Sequence, residues 1–110
     1  MIGINGISDF LGAVTSDRVV EHIEYVANLV GPEHVGLGLD YVIDKQELIA
    51  YVEGHPDIFP PDKFNDFLAF VEPEQFPELT DCLLRKGCSE AVIRGILGEN
   101  FLRVADRVWK

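Results

Sequence analysis

Basic residues are scarce in this chain. Its 110 residues carry 9 Lys and Arg against 19 Asp and Glu, a formal charge of −10 at pH 7. A surface of that sign repels phosphate backbones and anionic headgroups, which argues against nucleic acid and membrane surfaces as partners. Long apolar runs are absent too. Nothing approaches the roughly 20 residues that a membrane span needs, and the N-terminus lacks a basic stretch leading into an apolar core and a cleavage site. A cytosolic location is the simplest expectation. Cysteine is limited to Cys82 and Cys88, whose spacing matches no zinc or redox signature, so both read as reduced, packing side chains.

What is present is an ordinary globular composition, 47% hydrophobic and 25% charged. Disorder is excluded as the default. The length suits one domain over residues 1–110, able to bury roughly two-thirds of the surface its unfolded form exposes.

The chain is organised around His34-Val35-Gly36-Leu37-Gly38-Leu39-Asp40-Tyr41, a short apolar run that starts after Gly31-Pro32 and ends in a carboxylate. Continuous apolarity over so few residues predicts a parallel strand buried on both faces. Gly36 and Gly38 fall at period two and open one face to close approach by a backbone or a bulky side chain. Parallel strands gather ligands at their carboxyl ends, so Asp40 is the first candidate for a site residue. Met1-Ile2-Gly3-Ile4-Asn5-Gly6 predicts the partner strand of a strand-helix-strand unit. Asn5, near its end, reads either as a site residue or as a side chain satisfying a loop backbone.

Between the strands, Thr15 or Ser16 caps a helix that runs to Val30 and stops at Gly31-Pro32, with Val19, Val20, Ile23, Val26, Ala27 and Val30 on one stripe. His22 lies on its polar flank, and His34 lies at the strand end opposite the expected site. Asp44 and Glu47 predict a capping box for a helix over Lys45 to Glu53, although Asp44 also reads as a second site carboxylate. The proline-rich stretch from His55 to Pro61 predicts a long loop on the site side. His55, Phe59 and Tyr41 would line a pocket there, or pin the loop by their own aromatic contacts.

Further on, Phe64, Phe67, Leu68 and Val71 suggest a short helix over Asp62 to Val71. Helices follow over Glu78 to Lys86, ended by Gly87, and over Glu90 to Leu97, capped by Ser89 and ended by Gly98. A last one is capped by Asn100 and carries Phe101, Leu102, Val104, Ala105, Val108 and Trp109. The fold class is therefore α/β, with two parallel strands, a connecting helix and several C-terminal helices. A chain that opens on a buried parallel strand is odd, because such strands need covered faces and neighbours on both sides.

Several stretches together resemble one family. Pro32-Glu33-His34-Val35-Gly36-Leu37-Gly38 followed by Asp40, then Leu83-Leu84-Arg85-Lys86-Gly87, then Ile96-Leu97-Gly98-Glu99-Asn100-Phe101-Leu102-Arg103-Val104, closely resemble the C-terminal end of the membrane dipeptidase (renal dipeptidase) family. Met1 to Gly6 resembles that family's penultimate barrel strand. The resemblance implies a (β/α)₈ barrel in which zinc, usually a pair, activates a water that attacks the amide of a dipeptide. The chain would then be equivalent to the last two β/α units, a piece of a closed barrel whose unpaired strand edges and uncovered apolar face predict self-association into a homo-oligomer, a dimer joined through strand edges or the barrel-facing surface. The family's metal ligands lie on earlier strands, so no zinc is expected on this chain and the isolated piece is expected to be inactive. Asp40 matches the family Asp that handles the proton passing between water and leaving amine. Asn5 and Tyr41 become candidate substrate-binding residues. Familiar members read Asp-Phe-Asp-Gly where this chain has Asp40-Tyr41-Val42-Ile43, a change that shifts the pocket floor toward Val42 and Asp44. Two other readings stand beside this one: a non-catalytic, self-associating module derived from a truncated barrel, and a small metal site built from His22, His34 and His55.

Overall fold

The computed structural model describes residues 1–62 and 69–110. Its elements in chain order are β1 (Ile2–Ile4), α1 (Ser8–Leu11), α2 (Ser16–Val30), β2 (Val35–Leu37), α3 (Lys45–Glu53), α4 (Phe76–Arg85), α5 (Glu90–Arg94) and α6 (Asn100–Val108). The two strands pair in parallel, with Ile2 opposite Val35, Gly3 opposite Gly36 and Ile4 opposite Leu37. An α/β arrangement of two parallel strands with several helices is thus the observed fold.

The α2 helix forms where its local signals place it. The Thr15 hydroxyl accepts from the Arg18 amide at 3.2 Å, the extended N-cap geometry that satisfies an orphan donor of the first turn. At the other end, Gly31 adopts φ 99°, a left-handed conformation that favours glycine, and Pro32 follows. The stripe of Val19, Val20 and Ile23 is buried against Ile4 and Val35 of the sheet and Leu79, Cys82 and Leu83 of α4, in one continuous core that also takes Ile93 and Ile96. Fully burying each such side chain contributes about 1.5–3 kcal/mol.

Strand alternation sends Gly3 and Gly36 to the opposite face of the sheet. There the Phe101 ring of α6 lies directly on Gly36, where a Cβ would drive into it. A Cβ on Gly38 would meet the backbone of Gly3 at 3.6 Å. The close approach expected of this glycine pair is present at Gly36, under a bulky ring, whereas at Gly38 a Cβ would make only ordinary contact.

Several expectations need correction. The strands are only three residues long each; His34 lies in a 3₁₀ turn over Pro32–His34, and Asp40 and Tyr41 lie beyond β2. Burial on both faces holds for Val35 and Gly36, while Ile2 and Gly3 of β1 are exposed. A short helix, α1, stands in the segment between β1 and α2 where none was expected. The helix expected over Asp62 to Val71 falls mostly on residues 63–68, outside the described residues. Its final part is not helical. Phe70 forms an antiparallel bridge with Ile7, the Val71 amide donates to the Gly6 carbonyl at 2.8 Å, and the Ser8 amide donates to Ala69 at 3.0 Å. Tertiary pairing overrides the helical spacing there.

The α4 helix starts at Phe76 rather than Glu78, after a 3₁₀ turn over Pro73–Gln75 in which Glu72 and Gln75 exchange capping bonds. Between α5 and α6 the helical path breaks at Gly98 as expected, since its φ 171° and ψ −31° are non-helical and kink the wide turn Gly95–Glu99. Asn100, however, is itself helical and is not an N-cap. Its buried amide reaches back and donates to the carbonyls of Pro32 at 2.9 Å and Val35 at 2.8 Å, tying α6 to the start of β2. Long-range satisfaction of buried carbonyls wins over a local cap. Cys82 and Cys88 are both free thiols, as expected. Cys82 is buried, donates to Asp17 at 3.3 Å and accepts from Arg85 at 3.0 Å; burial first, then Asp17, pushes its pKa up against the opposing pull of Arg85. That is the state of a packing residue rather than a nucleophile.

Candidate active site

The site candidates collect where both strands end. Past β2 the ladder continues briefly, with the Gly38 amide donating to Ile4 at 3.0 Å and the Gly6 amide donating to Leu39 at 3.1 Å. Then the chain turns sharply. Asp40 takes φ 57°, the sole left-handed non-glycine among the described residues, and its side chain is exposed. Asp tolerates this region better than most residues, yet a strained conformation at the carboxyl end of parallel strands points from an observed outlier toward function.

Asn5 lies at the matching end of β1. Its side-chain oxygen accepts from the Ile7 amide at 2.7 Å, so that oxygen holds the turn into α1. Tyr41, one residue after Asp40, turns to Phe70 in an edge-to-face contact with centroids 6.3 Å apart. Asp44 caps α3 by accepting from the Glu47 amide at 2.9 Å. It also lines an open cleft of about 470 Å³ with Val42, Ile43, Glu47, Leu48 and Tyr51. His55 packs on Tyr51 at 4.2 Å, with its Nδ1 2.7 Å from the Tyr51 carbonyl, and Phe59 lies edge-on to the same ring at 6.2 Å. The aromatic residues of the rim therefore divide: His55 and Phe59 gather on Tyr51, while Tyr41 joins Phe70.

Around Tyr41 stands a cluster that sequence reasoning missed. The Lys45 ammonium lies 2.6 Å from Glu72 and over both aromatic rings, 5.7 Å from the Tyr41 centroid and 5.9 Å from that of Phe70. The hydrogen bond to Glu72 raises the pKa of Lys45, and the bond from Lys45, then that from the Tyr41 hydroxyl, lowers that of Glu72. The same carboxylate, followed by burial, raises the Tyr41 phenol. Lys45 and Glu72 are separated by 27 residues, so no local pattern announces their meeting.

Zinc does not fit what is here. No group of three His, Cys, Asp or Glu among the described residues could hold a metal ion, and His22, His34 and His55 do not come together. No helix among them is long and apolar enough to cross a membrane.

Residues 1–57, β1 through α3, match the family described as membrane dipeptidase (Peptidase family M19). Dipeptidase ataJ of Aspergillus terreus is 36% identical over 94 residues, 86% of this chain and 18% of its own length. Dipeptidase verJ of Clonostachys rogersoniana is 30% identical over 94 residues, 86% of this chain and 19% of its own. An uncharacterized Klebsiella pneumoniae protein from the pqqA 5′ region is 29% identical across 100% of this chain and 36% of its own length. No solved structure is significantly similar. The chain spans a minor share of each of these relatives, but the family match takes in both strands, the helix between them and the Asp40 turn: this chain belongs to the membrane dipeptidase family.

Proposed function

We propose that this chain is the C-terminal part of a zinc-dependent dipeptidase, equivalent to the last two β/α units of a (β/α)₈ barrel. The reaction is hydrolysis of a dipeptide amide bond by metal-activated water, with the metal ligands supplied by polypeptide outside these residues. The share of the chemistry that falls to this chain is a proton carrier. Asp40 takes the proton released by the attacking water and returns it to the leaving amine, as a general base and then a general acid. Asn5 holds the neighbouring turn, and Tyr41 presents a ring and a hydroxyl on the substrate side. The observation that carries this reading is the exposed Asp40 at φ 57°, placed at the carboxyl end of the paired strands in the segment matched by the family.

The isolated chain is inactive in this reading, because the metal ligands lie on polypeptide outside it and its described residues assemble no metal site. Pure chain assayed against dipeptides with added zinc is expected to show no turnover; robust turnover would overturn that part. In an enzyme completed by the rest of a relative's barrel, Asp40→Asn is expected to reduce kcat by about 10²–10⁴-fold, the usual worth of a general acid or base. Undiminished kcat in that variant removes Asp40 from the chemistry.

A second reading has its own support. Leu102 and Trp109 of the C-terminal helical segment are 68% and 80% exposed, and the sheet among the described residues has two strands. These are features of a module that self-associates. Light scattering on the purified chain separates the two: a stable homo-oligomer that resists complementation by the remaining barrel favours the module.

A further inference from the structure

We propose that Tyr41, Phe70 and Glu72 form a cage for a primary ammonium group, occupied by Lys45 in the free chain and by the amino terminus of a peptide when one binds. The inference deepens the dipeptidase reading, since it names how the substrate's amino end is held.

Each wall of the cage has an anchor besides Lys45. Phe70 is buried and bridged to Ile7, and the next residue, Val71, donates to Gly6. Glu72 is fixed by the exchange of capping bonds with Gln75, whose Oε1 accepts from the Glu72 amide at 2.8 Å. Tyr41 follows the left-handed turn at Asp40 and meets Phe70 with the ring planes at 82°. Two perpendicular rings and a carboxylate form three sides of a cup, and both centroids lie within the about 6 Å over which a ring face attracts a cation.

The occupant is the removable part. Lys45 reaches the cup on a flexible stem from the first turn of α3, a nine-residue helix in which only Val52 is buried. The Lys45 and Glu72 side chains are each 38% exposed, so a ligand has access and the existing ion pair is of the weak, solvated kind. A cation in the first turn also opposes the helix dipole. Once displaced, Lys45 is a free ammonium beside the same helix start, where a carboxylate is welcome. A dipeptide carries both groups, an ammonium for the cup and a carboxylate for the released Lys45. Glu72, ionised at neutral pH as any ordinary carboxylate is, is further stabilised as a carboxylate by Lys45 and the Tyr41 hydroxyl, and an ammonium ligand replaces the former in kind.

The test uses the 110-residue chain and needs no turnover, so it stands whether or not the dipeptidase reading survives. NMR shift titrations at the Tyr41 and Phe70 rings would follow n-butylammonium, alanyl-alanine and N-acetyl-alanyl-alanine. Removing the resident occupant in Lys45→Met is expected to tighten n-butylammonium at least tenfold, and Glu72→Gln in the same background to abolish the gain. Lys45→Gln repeats the measurement should the first variant fold poorly. Alanyl-alanine is expected to perturb the rings and its acetylated form to leave them unchanged. Unchanged or weaker n-butylammonium binding on removal of Lys45 overturns the cage, and equal binding of the two peptides overturns its role in holding the amino terminus.

Discussion

Two parts of this molecule are built on different terms. In the body, α2 and α4 press Val19, Val20, Ile23, Leu79 and Leu83 into one core beneath the sheet. Along the rim, α3 buries a single side chain, Val52, and Ile43 beside it is 91% exposed. The residues with chemistry in prospect, Asp40, Tyr41 and Lys45, all belong to the rim. Order there comes from polar and aromatic contacts between side chains rather than from buried area. Segments of that kind sit at the low end of local stability, free to rearrange around a ligand while the body stays folded.

The division is broken most directly by one substitution on each side. Leu79 is 0% exposed, and Leu79→Ala is expected to lower unfolding free energy by about 2–5 kcal/mol, from lost burial plus an incompletely collapsed cavity. Ile43→Ala removes a side chain that touches water on most of its surface and is expected to stay within about 0.5 kcal/mol of the parent. Urea unfolding of the two variants checks the contrast. A large loss for Ile43→Ala would mean that the rim is covered in solution by something that buries Ile43.

A smaller effect is expected where a polar group does structural work inside the body. Asn100→Ala takes the side-chain donor from the Val35 carbonyl and the second donor from the Pro32 carbonyl, which keeps the Val35 amide, at a cost of about 1–3 kcal/mol. Asn100→Asp removes the donors while keeping the shape and is expected to be at least as damaging, because a carboxylate would face two carbonyl oxygens. If Asn100→Asp unfolds at the parent urea concentration, the tie between α6 and β2 is not part of the core.

The same contrast governs what could be read from residues alone. Helix α2 announces itself because its cap, stripe and stop lie within a few residues of one another, and so does α3 through Asp44 and Gly54. Gly36 foretold close approach because strand alternation is also local. What escaped was the long-range part. Phe70 lay in a segment whose phenylalanines repeat at helical spacing, yet it ends as a bridge to Ile7, 63 positions earlier in the chain. Asn100 stands where a cap is expected, and only the folded chain brings it to carbonyls 65 and 68 residues away. The Lys45 cluster is the site's equivalent: Tyr41 was singled out for its place after Asp40, but its partners Phe70 and Glu72 arrive through that same unforeseen bridge.

The finest expected effect tests whether the rim's order is electrostatic. Glu72 has its pKa lowered from 4.5 by Lys45 first and Tyr41 second, so its contribution is complete above pH 4.5 and fades as pH falls through the lowered folded value. Lys45 has its pKa raised from 10.5 by Glu72, so its contribution is complete below pH 10.5 and fades as pH rises through the raised folded value. The pair therefore holds the rim in a plateau between those two limits. Measured as amide exchange at Tyr41 and Val42, the difference between the parent chain and Glu72→Gln is expected to be flat across the plateau and to vanish beyond either end. Salt should shrink it throughout, because both side chains are part-exposed and their attraction is screened. A difference that persists below the folded pKa of Glu72 would mean that neutral hydrogen bonds and ring packing hold the rim by themselves, and the distinction between a packed body and an electrostatically ordered edge would lose its physical basis.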